Sequence, residues 1–441
     1  MRWLLYNVLF TCGFPLVLPY FLLRMLRRGG YRRGFTERLG RYAPAVRRRL
    51  AERPRVWVHA VSVGEVFVAR QVMRELRTRC PECAFVLSTT TSTGHGLAAR
   101  ELAAEDVLIY FPVDHPWVLR RVLGHLRLRA LLLTECELWP NLIRMTKARG
   151  IPVALINGRL SAKSCAGYAR LGLFFRPVLE RLDLVLAQSN ADAERFVRLG
   201  ARPDAVRVTG NAKYDVAAAD PASATLAGRM LAAAGFGADD LVLVGGSTWR
   251  GEEAALLDAY VRLRPAFPNL RLVLVPRHAE RWPEVWSAIA ARGLRACRRS
   301  QLGTGGAVAG GPPEVLLVDT TGELRHLYAA ATVIFVGKSL TARGGQNPIE
   351  PAAYGKPVVI GPCVENFADV VRDFQEADAI VSVTGVAELA AALERLLAQP
   401  DLRLQYGRRA AAVVAAHQGA TRAMAEALVP LLAGGAGCVR A

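Results

Sequence analysis

Ten short runs of β-branched and aliphatic residues, separated by longer stretches of helical periodicity, most constrain what this chain can fold into. Five lie in the first half (Val56–Val61, Phe85–Thr89, Leu131–Thr134, Val153–Ile156, Leu184–Ala187) and five in the second (Leu241–Gly245, Leu272–Val275, Val315–Val318, Val333–Val336, Val358–Ile360). Apolar runs this short, alternating with helix-length segments, predict parallel strands buried on both faces with crossover helices between them. The pattern fades over Ala212–Asp240, which is alanine-rich and poorly patterned. Two α/β halves follow, and 441 residues suffice for two cores. The expected bounds are an N-terminal segment and basic linker over 1–49, a first half over 50–215, a linker over 216–240, a second half over 241–430 and a tail over 431–441.

The chain carries 57 Lys+Arg against 38 Asp+Glu, a formal charge of +19, which predicts attraction to polyanions. Its location is informative. Trp3–Leu23 is uncharged, and ten arginines follow between Arg24 and Arg49 against the single acid Glu37. Twenty-one residues at about 1.5 Å each reach roughly 31 Å, near the thickness of a bilayer core, so the run reads as a membrane anchor with a polybasic skirt for anionic headgroups. Gly13, Pro15 and Pro19 interrupt a straight helix and leave open a segment that lies in the interface. Eight scattered cysteines fit a reducing compartment, and neither they nor the seven histidines show metal-ligand spacing. Cys80-Pro81-Glu82-Cys83 is a lone CxxC.

Residues 333–362 encode a strand, a glycine-rich loop, a helix start and a second strand in unbroken order. Gly344-Gly345 permits a tight turn, and Asn347-Pro348-Ile349-Glu350 reads as N-cap, proline at the first helical position and Glu at N3. Unpaired amides and the positive end of the helix dipole would there face an anion. Three more segments put polar groups at strand ends: VGGSTWRGEE (244–253), VPRHAER (275–281) with Arg277 as a fork-shaped phosphate partner, and VDTTGELRHLY (318–328). Together they would surround a nucleotide monophosphate, with the anionic Glu350 nearer ribose hydroxyls.

The first half carries acids instead. Ser62-Val63-Gly64-Glu65 follows a strand and opens a helix with capping-box spacing, so Glu65 is either an N3 cap or a general base. Thr134-Glu135-Cys136-Glu137-Leu138-Trp139-Pro140-Asn141 puts two carboxylates at a strand end, which packing does not explain. Lys213, in Gly210–Asp215, is either a solvated lysine or a member of a cleft.

In their order, HAVSVGE (59–65), TTTSTG (89–94), ECELWPN (135–141), NGRLS (157–161), GNAKYD (210–215), GST and GEE (246–253), VPRHAER, DTTGEL (319–324) and RGGQNPIEP (343–351) resemble the 3-deoxy-D-manno-octulosonic acid (Kdo) transferases of Gram-negative lipopolysaccharide synthesis. The resemblance covers nearly the whole chain. It implies a GT-B enzyme, two Rossmann-like domains facing across a cleft, acceptor-binding first and donor-binding second. The implied reaction is inverting and needs neither metal nor other cofactor: Kdo passes from CMP-Kdo to the lipid A precursor lipid IVA at the cytoplasmic face of the inner membrane.

By the same resemblance Glu65 is the base, Glu135 and Lys213 stabilise the transition state, and CMP meets Pro276, Arg277, Thr321, Gly322, Glu323, Asn347, Pro348, Ile349 and Glu350. Trp249-Arg250 stands where the family usually shows His-Glu, and Gln346 where His is usual. Rival readings are a GT-B transferase with another nucleotide donor, separable by CMP selectivity, and a membrane-tethered nucleic-acid binder. The absence of base-stacking or groove-reading motifs disfavours the latter, and no nucleic-acid partner is expected.

Overall fold

The computed structural model describes residues 3–8, 10–13, 34–215, 220–302 and 311–434. The chain divides into two units, Met1–Val216 with Gln418–Ala441, and Ala217–His417. Each is built on a seven-stranded parallel sheet covered by helices.

In the first unit the strands are β1 (Arg55–Ala60), β2 (Ala84–Thr89), β3 (Val107–Tyr110), β4 (Leu128–Thr134), β5 (Val153–Gly158), β6 (Leu184–Ala187) and β7 (Val206–Val208). Their order is β3-β2-β1-β4-β5-β6-β7. Every residue of β1 is buried, as a central parallel strand requires. Alternate side chains divide between two cores: Trp57 packs with Leu131 and Leu133 on one face, Val56 and Val58 with Val68, Val72 and Leu76 on the other. The second core is completed by Met424, Leu428 and Leu432 of the C-terminal helix Ala420–Gly434, spaced one turn apart on a single stripe.

The second unit contains β8 (Leu241–Thr248), β9 (Leu270–Pro276), β10 (Ala296–Arg298), β11 (Val315–Leu317), β12 (Val333–Val336), β13 (Val358–Ile360) and β14 (Val381–Ser382). The order is β10-β11-β9-β8-β12-β13-β14. Strand order therefore reverses between β1 and β4 in the first sheet and between β8 and β12 in the second. At such reversals neighbouring crossovers leave in opposite directions, and a crevice opens at the carboxyl ends of the strands.

Several expectations change. Four strands absent from the sequence reading, β3, β7, β10 and β14, are the edges of the two sheets. Residues 34–49 are not a free linker: Phe35–Arg38 and Pro44–Glu52 are helices, Tyr42 and Leu50 enter the core, and Arg38 and Arg49 donate to the carbonyls of Thr90 and Asp106. The expected linker 216–240 contains the helix Ala222–Ala233 within the second unit, and the helix Ala420–Gly434 belongs to the first unit. Among the described residues no helix is long and apolar enough to cross a membrane, so the anchor is not supported as a span. Residues 14–33 lie outside the described residues. In the described part, Tyr6 donates to the buried Asp114 and the Asn141 amide donates to Asn7, partners that a bilayer interior does not provide.

Candidate active site

The reversal of the first sheet gathers the acids. Ser62 caps the helix Val63–Arg79, and Glu65 at its N3 position reaches back, a complete capping box. Glu65 Oε1 accepts from the Ser62 amide at 3.2 Å and the Ser62 hydroxyl at 2.8 Å. Its Oε2 accepts from the Val61 amide at 2.9 Å and from Thr134 Oγ1, at the end of β4, at 2.7 Å. The carboxylate is 7% exposed, and all four lone-pair directions are taken. The helix cap and the candidate base are therefore one and the same side chain.

Thr134 Oγ1 has a single hydrogen and two acceptors within reach, Glu65 Oε2 and the His59 carbonyl at 2.9 Å. Beyond it Glu135 adopts a left-handed backbone, φ 51°, a costly state for a residue with a side chain. The turn aims its carboxylate at Lys213, whose Nζ stands 3.3 Å from Oε1. Lys213 is positioned from β5: Asn157, also left-handed at φ 51°, accepts from the Ala212 amide through Oδ1. Asp215 then accepts from the amides of Gly419 and Thr421, capping the returning C-terminal helix.

Sequence reasoning assigned no role to Glu137 and His59. Burial, then the nearby charge of Glu65, pushes the Glu137 carboxyl up to about 7, although Trp139 Nε1 donates to it. Burial pushes His59 down to about 3, so the 3.9 Å approach of its Nε2 to Glu137 joins a neutral ring to an acid rather than an ion pair. Burial and the carboxylates of Glu137, Glu135 and Glu65 push Cys136 between them up to about 11, which leaves it an unreactive thiol.

In the second unit, Pro276 ends β9 and the exposed Arg277 follows, its amide bonded to the Thr248 carbonyl. Among the described residues the Arg277 side chain makes no hydrogen bond or ion pair. Thr321 and Gly322 precede the helix Leu324–Ala330, and Gly322 (φ 90°) borders open space. Glu323, expected at the nucleotide, is engaged internally: it accepts from Arg299 at 2.8 and 3.0 Å and from Thr320.

The 347–350 segment also differs from expectation. The helix Ile349–Ala353 has five residues and begins one position later, with Pro348 as N-cap and Asn347 Oδ1 accepting from the Ile349 amide. So short a helix brings little dipole, and the amides of Gly344 and Gly345 are bonded to Glu365 and to the Lys338 carbonyl. Burial pushes Glu350 up, while the Asn347 side chain and the charges of Arg277 and Arg325 pull it down.

The two acids of GEE prove to be braces. Buried Glu252 accepts from the amides of Trp249, Lys338, Ser339 and Leu340, and Glu253 from Thr248 and Arg281. A local capping reading finds the Trp249 bond, whereas the bonds to 338–340 span some 86 to 88 residues. Among the described residues one group has metal-ligand spacing, Cys80, Glu82 and Cys83. Arg129 occupies it, donating to both Glu82 and Cys83.

A family model for 3-deoxy-D-manno-octulosonic-acid transferase matches residues 33–216, and one for glycosyl transferases group 1 matches 313–413. The chain is 30% identical to the 3-deoxy-D-manno-octulosonic acid transferase of Haemophilus influenzae over 97% of both proteins. It is 38% identical to that of Bordetella pertussis over 85% of this chain and 86% of the other. A glycosyltransferase structure from Rickettsia africae shares the fold, with a TM-score of 0.54 at 12% identity over 87% of this chain and 99% of that one.

Proposed function

The chain belongs to the 3-deoxy-D-manno-octulosonic acid transferase family of glycosyltransferases, and from that premise we propose an inverting GT-B enzyme that moves Kdo from CMP-Kdo to lipid IVA. The observation that carries this reading is the convergence of Glu65, Thr134, Glu135 and Lys213 at the reversal of the first sheet. A sugar hydroxyl needs a base to become a nucleophile, and Glu65 takes that role once one of its four donors yields. Thr134 is the donor best able to do so, because its hydroxyl turns to the His59 carbonyl without breaking backbone structure. The freed Oε2 lone pair then accepts the acceptor's proton, and the protonated carboxyl donates back to Thr134 Oγ1. Lys213, paired with Glu135, places positive charge beside the developing anion.

In the second unit Arg277 pairs with the nucleotide phosphate, and the backbone around Thr321, Gly322, Asn347, Pro348 and Ile349 lines the CMP site, with Glu350 toward the ribose. The departing phosphate is thus neutralised by side chains, which needs no metal. The ten arginines of 24–49, the described Arg38 and Arg49 apart, supply attraction to the anionic inner-membrane surface at its cytoplasmic face. Leu4, Leu5 and Val8, all exposed, give the N-terminal stretch an apolar side for that surface.

The test is direct. Purified protein with CMP-Kdo and lipid IVA should yield a product heavier by one or more Kdo residues, and NMR of the new linkage should show inverted configuration. A product of retained configuration, or the absence of any Kdo adduct, overturns the reading.

A further inference from the structure

The reversal of the second sheet holds a cation that no part of the reading above uses. At the carboxyl ends of β8 and β12 stand Ser247 (φ 53°) and Lys338 (φ 54°), both in the left-handed region that residues with side chains rarely adopt. Two such residues on adjacent strands at a crevice mark a place where backbone conformation is held against its preference. The holder is Glu252, whose carboxylate ties the amides of 338–340 to that of Trp249 at 2.7 to 2.9 Å.

The held conformation has a directional result. Lys338 Nζ lies 4.9 Å from the centroid of the Trp249 ring, which rests edge-on against His278, with ring centroids 5.0 Å apart. An indole face steadies an ammonium while leaving its N–H donors free. Gly344 (φ 122°) supplies a notch beside it. A Cβ there would meet Lys338 Nζ at 3.3 Å and Asn366 Nδ2 at 2.9 Å, so the bare glycine is what lets these two donors converge against the backbone. Among the described residues Lys338 forms no ion pair, and Glu365, the acid whose charge it feels, is bonded to the Gly344 amide and faces Arg343.

We infer that Lys338, seated on Trp249 and joined by Asn366 at the Gly344 notch, binds an anionic group of the donor, either the nucleotide phosphate or the sugar carboxylate. The inference rests on the proposed donor role of the second unit. It adds a cation beyond Arg277 to a unit in which Trp249 and Gln346 carry no charge.

The test compares wild type with Lys338→Met, Lys338→Gly and Lys338→Arg, by calorimetry with CMP and by initial rates with CMP-Kdo. Glycine adopts φ 54° without strain, so Lys338→Gly should melt no lower than wild type and separates loss of charge from loss of fold. If the anion is the phosphate, CMP affinity falls about tenfold to a hundredfold in the Met and Gly variants and recovers in part with Arg. If it is the carboxylate, CMP affinity holds while KM for CMP-Kdo rises by a similar factor. Unchanged CMP affinity together with unchanged KM in folded Met and Gly variants overturns the inference. Wild type that fails to bind CMP at all overturns the donor reading beneath it instead.

Discussion

The two sheets reverse strand order at equivalent places and furnish the two crevices in opposite ways. At the β1/β4 reversal the polar side chains are already bonded to one another: Glu65 is saturated by four donors and Glu135 is paired with Lys213. At the β8/β12 reversal the acids are buried braces, and among the described residues the cations Arg277 and Lys338 form no ion pair. A group that must give or take a proton at a fixed point is best oriented before substrate arrives, since a loose base costs rate. A cation that receives an anion has the reverse requirement, because an internal carboxylate would have to be displaced at each binding event. On the proposed function, the same topology is finished with internally bonded groups where chemistry would occur and with cations outside any ion pair where an anion would bind.

The sharpest way to break this contrast is at Glu65. Glu65→Gln should lower turnover by about 10²–10⁴-fold while leaving CMP affinity unaltered. A parallel loss of CMP binding would show that the two crevices are not separable in function. Glu252→Ala should produce the next largest effect, on folding: it strips four backbone amides of their acceptor and should lower the stability of the second unit by about 3 kcal/mol or more, read by denaturant unfolding. Arg277→Ala, in contrast, touches no internal bond. Its melting temperature should stay at the wild-type value while CMP binding weakens by about 1.5–3 kcal/mol in calorimetry.

The smallest effect belongs to Glu137 and is visible only against pH. Its carboxyl titrates near 7 in the folded protein and near 4.5 in the unfolded chain, so between those values the folded state holds the extra proton and stability declines as pH rises. Above about 7 the full cost of the buried charge is present. Glu137→Gln should therefore match wild type at low pH and exceed it in stability at pH 8, read by denaturant unfolding at both pH values. Equal stability at both would place Glu137 in a more hydrated setting than its neighbours indicate.

Much of this was legible in the amino-acid order, and what was not has a common cause. The ten central strands announce themselves as apolar runs because both of their faces are covered. Three of the four edge strands are two or three residues long and include Arg207, Arg298 or Ser382, since a strand with one neighbour and a wet side needs no such run. Val107–Tyr110 is the exception, apolar enough to be read by the same rule. Glu65 was legible as a cap because that role depends on residues three positions apart. Lys338 was not, because its orientation depends on Glu252, 86 residues earlier in the chain. The start of the 349–353 helix moved by one residue because Asn347 closes a turn onto Ile349 in place of capping from the position before Pro348.

The C-terminal helix has a consequence for how the protein is made. Asp215 waits for partners at Gly419 and Thr421, more than 200 residues later, and the strip of Val68, Val72 and Leu76 waits for Met424, Leu428 and Leu432. At a synthesis rate of about 5–20 residues per second, some 10–40 s separate the emergence of the first sheet from that of the helix that covers it. During that interval the second unit, contiguous in the chain, has everything it needs to fold. The unit begun first is thus the one finished last, and until then an oily groove stands open to chaperones and to other nascent chains.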